Sequence, residues 1–327
     1  QMKALVYDGP KVISYREVPD PIPGQDNLLI KIKAVGICGS DMHAYLGHDD
    51  RRSPPLILGH EASGTISGGN RNGERVTINP LVSCGTCSAC YNGRENICPN
   101  RQIISMPPRE GAFAQYVTIP ERNLVAVPSD YCLQKAALVE PLAVGWHTAK
   151  LAVRASDITM EKSALVIGGG AIGLATALAL RAMGIDDIVI SEFNPLRREY
   201  LREHIDTNVV EKTEGSFPIV IDAVGFGLTR AVASQLVCPG GVIANVGLGD
   251  NTDGLDVRRI TLQEITFIGT YTYTSQDFKD TAEALFAGRL GLLEWIERRP
   301  LSEGKASFRD LLGNKVAAPK IVLEPWQ

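Results

Sequence analysis

Four of the seven cysteines crowd into one stretch, VSCGTCSACYNGRENICPN, as Cys84, Cys87, Cys90 and Cys98. The spacing is C-x2-C-x2-C-x7-C, and thiolates this close along a chain can converge on one ion. Zinc takes four thiolates tetrahedrally at roughly 2.3 Å, and two-residue spacers let a tight loop wrap it. Gly85, Asn92 and Gly93 supply the turns. Four protein ligands leave no open coordination position, so this spacing predicts a structural zinc. An iron–sulfur cluster or a pair of disulfides would use the same residues; a reducing compartment disfavours the disulfides.

A second set of ligand types lies outside that loop. GICGSDMH holds Cys38, LGHEASG holds His60 and Glu61, and ALVEPLAVGWH holds Glu140 and His147. Thiolate, imidazole and carboxylate together form the mixed, unsaturated set of a catalytic zinc, whose open position takes water or substrate. Taken singly, each residue reads equally well as core or surface; the joint pattern predicts the site. Asp41 is the expected acceptor that orients His60.

VIGGGAIG supplies a third element. Gly168-x-Gly170-x-x-Gly173 follows a strand-like run and opens a helix-like one. Such a turn lets backbone approach a pyrophosphate at a helix N-terminus, so Gly168, Gly170, Ala171, Ile172 and Gly173 are the expected cofactor-binding turn. Glu192 stands nineteen positions after Gly173, where a carboxylate accepts ribose hydroxyls and repels a 2′-phosphate. That predicts NAD over NADP. Arg197 and Arg198 follow closely and pull the other way; Arg197 is a further candidate cofactor contact.

The elements that must position these groups change character near residue 140. Before it, short β-branched runs (3–7, 28–37, 75–79 and 113–119) are punctuated by Pro and Gly, which reads as an irregular, mostly β region. After it, strands at 164–169, 187–191, 219–225, 241–247 and 265–271 alternate with helices. One helix spans 171–184, and another begins at Asn194 with Pro195 in its first turn. This alternation predicts a doubly wound parallel sheet. Beyond 272 an amphipathic helix carries Phe278, Ala282, Leu285 and Phe286.

Composition bounds the function. The chain has 327 residues, 44% hydrophobic and 21% charged, enough for two domains with real cores. A net charge of −4 argues against nucleic acid or an anionic membrane surface as the main partner. There is no apolar run of about 18 residues and no signal-peptide pattern at the start, so a cytoplasmic, reducing setting is expected.

CGSDMH, GHEASG, the cysteine loop, EPLAVGWH, GGGAIG and DAVG occur in the order found in zinc-dependent medium-chain alcohol/polyol dehydrogenases, and the resemblance spans nearly the whole chain. CGSD, GHEASG and EPL resemble the sorbitol dehydrogenase branch more than the ethanol-type enzymes. The resemblance implies an α/β protein: a GroES-like, mostly β catalytic domain (1–138 and 275–327) and a Rossmann domain (139–274). It implies one structural and one catalytic zinc, the latter on Cys38 and His60 with Glu61 and Glu140 competing for it. It implies hydride transfer from a secondary alcohol to NAD. Ser40 would accept the proton and His43 pass it to solvent, and Val246 and Gly247 would offer backbone contacts to the nicotinamide. Phe113, Tyr45 and Tyr273 are pocket candidates. The substrate would be a small molecule (a sugar alcohol, a sugar acid, threonine or butanediol), and the protein a homo-oligomer, dimer or tetramer. Two segments, 63–76 and 202–225, look shorter than in relatives. The alternatives are a zinc-independent, quinone-reductase-like enzyme and a zinc- and NAD-binding protein without turnover.

Overall fold

The computed structural model describes residues 1–157 and 159–327. Alternating apolar residues in Asn27–Gly36 bury one side against a core that includes Ile30, Ile32, Leu58, Ile66, Ile78, Phe113 and Phe308. This strand is the hub of an antiparallel-rich sheet. It pairs with Glu61–Ser67, with Tyr116–Pro120 and with the C-terminal strand Lys320–Glu324. Gly36 lies opposite Glu61 on one side and Val322 on the other, so the ends of three neighbouring strands meet at one place. Cys38 follows two residues beyond that meeting point. A smaller sheet of Val12–Val18, Met2–Gly9 and Leu56–Ile57 covers the same core.

The second half forms a six-stranded parallel sheet in the order Asn208–Val210, Asp187–Ser191, Ser163–Ile167, Phe217–Asp222, Val237–Asn245 and Thr266–Gly269. The chain leaves Ser163–Ile167 in one direction and later returns to its other side. Ligands bind at such a reversal, outside the carboxyl ends of the strands. The glycine turn after Ser163–Ile167 stands there, opening the helix Ala171–Ala182.

The 17-residue helix Val139–Ala155 carries Glu140 and Pro141 in its first turn. Its buried Leu142, Ala143, Trp146 and Ala149 follow helical spacing and join the core shared with the parallel sheet. Pro141 falls in the helix's first turn, where proline is tolerated. The strand Glu61–Ser67 was also unanticipated, since Gly64 and two serines give it little β-propensity. The expected strand at 113–119 begins only at Tyr116, because Phe113 and Ala114 turn inward: Phe113 N–H donates to Leu58 O at 2.9 Å, and Phe113 O accepts from Leu5 N–H at 2.8 Å.

Helix Val139–Ala155 is latched to helix Ser275–Phe286 by ions. Asp277, buried, meets His147 Nδ1 at 2.5 Å and also holds the Lys150 ammonium. Burial opposes its charge, but the His147 and Lys150 hydrogen bonds win and hold its carboxyl well below the usual range. A depressed folded-state pKa stabilises above the unfolded value and is lost as pH falls through the carboxylate range. Asp277→Asn should therefore cost about 3 kcal/mol at pH 7, as breaking a buried pair does. Urea unfolding of both proteins should show that gap narrowing as pH drops below about 4.

Candidate active site and metal centres

Cys38, His60 and Glu61 place one donor atom each within 4.8 Å of the others, although 22 residues separate the thiol from the imidazole. The strand register does this. Glu61 opens one strand beside Gly36, and a Cβ at Gly36 would lie 2.2 Å from Glu61 Oε2; only glycine leaves room for the carboxylate. Lys320, at the start of the third strand, reaches Glu61 Oε2 at 2.8 Å and Ile37 O at 2.7 Å. From the other side, helix Val139–Ala155 delivers Glu140, whose Oε1 lies 3.7 Å from His60 Nε2. Tyr273, fully buried, donates its hydroxyl to Glu140 Oε2 at 2.9 Å. Burial and the Glu140 carboxylate keep that phenol well above its ordinary pKa, so it stays a donor.

The cluster carries more buried acid than buried base. Burial first, then Glu61, pushes the Cys38 thiol up to about 11, and burial drives Glu140 up to about 8 against the pull of His60. Asp41 is raised by burial too. Soft and hard donors that crowd together and resist ionisation are what a divalent cation relieves, and the set fits zinc.

Several expected residues sit elsewhere. Asp41 does not orient His60: His60 Nδ1 lies 3.8 Å away and has no hydrogen-bond partner. Asp41 instead accepts from Cys38 N–H at 2.9 Å and Gly59 N–H at 3.3 Å, holding the two ligand loops together. His147 belongs to the Asp277 latch. Phe113 and Tyr45 are core residues packed on Phe308, with ring centroids 5.9 and 5.1 Å away. Ser40 is half-buried beside Cys38, and His43 is exposed three residues on along the same helix, Gly39–Tyr45.

In the cysteine loop, Sγ–Sγ distances of 3.5 Å (Cys87–Cys90 and Cys84–Cys98) and 3.9 Å (Cys84–Cys90) match the ~3.8 Å edge of a zinc–thiolate tetrahedron. All four thiols face one point. The Thr86 backbone N–H and hydroxyl donate to Cys84 and draw its thiol down to about 5.

The glycine turn also fits its cofactor. The helix Ala171–Ala182 has Gly170 at its N-cap and no side chain capping its first N–H groups, which leaves them open to an anion. A Cβ on Gly173 would stand 1.8 Å from Gly168 O, and Gly168 has φ +101°, so neither tolerates a side chain. Glu192 ties the turn down, accepting from Gly169 N–H at 3.1 Å and Asn194 N–H at 2.9 Å. Arg197 lies beside Gly170 and donates to Ala317 O at 3.0 Å. The N–H groups of Val246 and Gly247 both donate to Asp222 O, at 3.0 and 3.1 Å, which fixes that loop at the carboxyl end of the parallel sheet.

Comparison with known proteins agrees with this layout. Residues 24–129 match the alcohol dehydrogenase GroES-like domain family, and 171–287 match the zinc-binding dehydrogenase family. L-galactonate-5-dehydrogenase of Escherichia coli (strain K12) is 32% identical over 96% of each chain. Sorbitol dehydrogenase of Bacillus subtilis (strain 168) is 31% identical over 84% of this chain and 83% of its own. A solved Escherichia coli oxidoreductase/dehydrogenase of unknown specificity superimposes with TM-score 0.89 at 27% identity over 99% of each chain.

The two thiol centres should respond differently to mutation. Cys98→Ser should lower thermal stability sharply and lose the loop's zinc, since structural zinc contributes folding free energy. Cys38→Ser should keep most of its stability yet lose the other zinc. Calorimetry with zinc analysis of each variant reads both.

Proposed function

The chain belongs to the zinc-dependent medium-chain alcohol/polyol dehydrogenases, and from that membership we propose how its own residues serve the reaction. The enzyme transfers hydride from a secondary alcohol to NAD. The observation that carries the residue assignment is the convergence of Cys38, His60 and Glu61, with Glu140 Oε1 3.7 Å from His60 Nε2. Cys38 and His60 hold the catalytic zinc, and Glu61 and Glu140 compete to complete its shell; Cys84, Cys87, Cys90 and Cys98 hold the structural one. When bound, zinc polarises the alcohol oxygen and NAD accepts the hydride.

The rest is the protein's work. The open N–H groups after Gly170 and the Arg197 guanidinium bind the pyrophosphate, and Glu192 selects the unphosphorylated ribose. The Val246–Gly247 backbone borders the nicotinamide. Ser40 takes the alcohol's proton at Oγ while its own passes to the His43 imidazole, which delivers it to solvent. Lys320 holds Glu61 in place. The catalytic domain comprises 1–138 and 275–327, and the Rossmann domain 139–274.

The substrate is a sugar alcohol or sugar acid, and the arginines around Tyr271 favour the acid. Arg101 lies over the Tyr271 ring, 5.1 Å from its centroid, and donates to Cys98 O at 2.9 Å, with no carboxylate partner among the described residues. Arg51, close enough to Tyr271 to interact with it electrostatically, is exposed and pairs with Asp49 alone. An anionic group on the substrate would complete that arginine set. No described helix is long and apolar enough to cross a membrane, in keeping with a cytoplasmic enzyme. The exposed Phe267 on the sheet-edge strand Thr266–Gly269 suits pairing as a homo-oligomer.

NADH absorbance with a panel of polyols, sugar acids, threonine and butanediol tests the reading. Turnover should appear with polyols or sugar acids and vanish with chelator. Cys38→Ser should lower it about a thousandfold, the several kcal/mol a Lewis acid supplies. Chelator-insensitive turnover, or tight NAD binding without turnover on any alcohol, would contradict it. Arg101→Gln should raise KM for a sugar acid about tenfold and leave KM for the matching neutral polyol unchanged.

A further inference from the structure

The cysteine loop does more than close on its ion. Between Cys90 and Cys98 it makes a short turn, Glu95–Ile97, and both residues at the start of that turn reach across to the segment Tyr271–Ser275. Asn96, buried, donates from Nδ2 to Tyr271 O at 2.8 Å. Glu95 Oε2 accepts from Ser275 N–H at 3.1 Å. Arg101, just past the last cysteine, stacks on Tyr271. The segment so gripped carries Tyr273, whose hydroxyl meets Glu140. Two hydrogen bonds in series, one from the loop to this segment and one from Tyr273 to Glu140, therefore link the two ligand sets.

The gripped segment would not hold this shape unaided. Thr272, between the two tyrosines, has φ +46°, a left-handed conformation unfavourable for a β-branched residue. Its Oγ1 is buried without a partner, so no local hydrogen bond compensates. Such a conformation persists only where its surroundings over-determine it. Here the surroundings are Asn96 at one end, Glu95 at the other, and the reciprocal Thr274–Asp277 cap that starts the next helix.

We propose that the four-cysteine loop is the positioning device for Glu140: through Asn96 and Glu95 it holds Tyr271–Ser275 so that the Tyr273 hydroxyl aims the Glu140 carboxylate at the catalytic ligand set. This rests on the assignment of Glu140 to that set. The loop's own closure by its four thiols fixes the 95–97 turn, so order in one centre is transmitted to the other. Tyr273 and Asn96 are positioning residues, acting through Glu140 and touching no reacting atom. Partners that hydrogen-bond to a metal ligand commonly change metal affinity 10–100-fold when removed.

The test is chelator competition on the zinc-loaded full chain, followed with a zinc indicator, in wild type, Tyr273→Phe, Asn96→Ala and Glu95→Ala. Cys38→Ser, which lacks the catalytic zinc, assigns the release phases. Tyr273→Phe should weaken the catalytic zinc roughly 10–100-fold. Asn96→Ala should weaken the same zinc severalfold while the cysteine-loop zinc is retained. Glu95→Ala, at a half-buried position that spares the fold, should act in the same direction. Wild-type affinity at the catalytic site in Tyr273→Phe, or in both loop variants whatever their thermal stability, would overturn the proposal. Glu140→Gln with unchanged zinc affinity would instead overturn the ligand assignment beneath it.

Discussion

The constraint on which the structure depends is electrostatic. Asp41, Glu61 and Glu140 are buried at one point beside the half-buried Cys38, with Lys320 paired to Glu61. Taking an ion out of water costs several kcal/mol unless it is paired. The cluster shows that cost in the raised Cys38 and Glu140 ionisations. A divalent cation reverses the sign: each donor then lowers the energy of the site, and desolvation that opposed folding becomes metal affinity.

The fold's contribution is to bring those donors together from separate cores. Three strand ends meet because Gly36 pairs with both Glu61–Ser67 and Lys320–Glu324, and its missing side chain makes space for Glu61. Glu140 arrives on a helix whose buried face belongs to the other core, shared with the parallel sheet. The glycine turn belongs to that second core as well. The Cys38–His60–Glu61 donor cluster thus lies where the two cores join, and the Asp277 latch and the Tyr273–Glu140 bond span the elements around it.

Much of this was legible in the sequence because local chemistry demanded it. Four thiols at two-residue spacing have few other uses, and the Gly168–Gly173 turn is self-contained in one strand–turn–helix. The parallel strands were readable from β-branched runs alternating with helices, and Asn194 caps its helix as its type and the following Pro195 suggest. What escaped was non-local. Lys320 lies 259 residues from Glu61, and nothing in its neighbourhood marks it. Asp41 stands where a ligand-orienting acid would, but backbone N–H groups of two loops claim it. His147 has the right type beside Glu140, yet helical geometry carries it seven residues along, to Asp277. Phe113 and Tyr45 face the core rather than a pocket, because their rings pack on Phe308.

The most direct measurement is anomalous scattering at the zinc edge from crystals of the zinc-loaded enzyme with NAD. The account requires a peak in contact with Cys38 Sγ and His60 Nε2, separate from the one inside the cysteine loop, with the nicotinamide lodged alongside. A map with zinc in the cysteine loop alone, and with Cys38 and His60 turned away from the bound nucleotide, would contradict it.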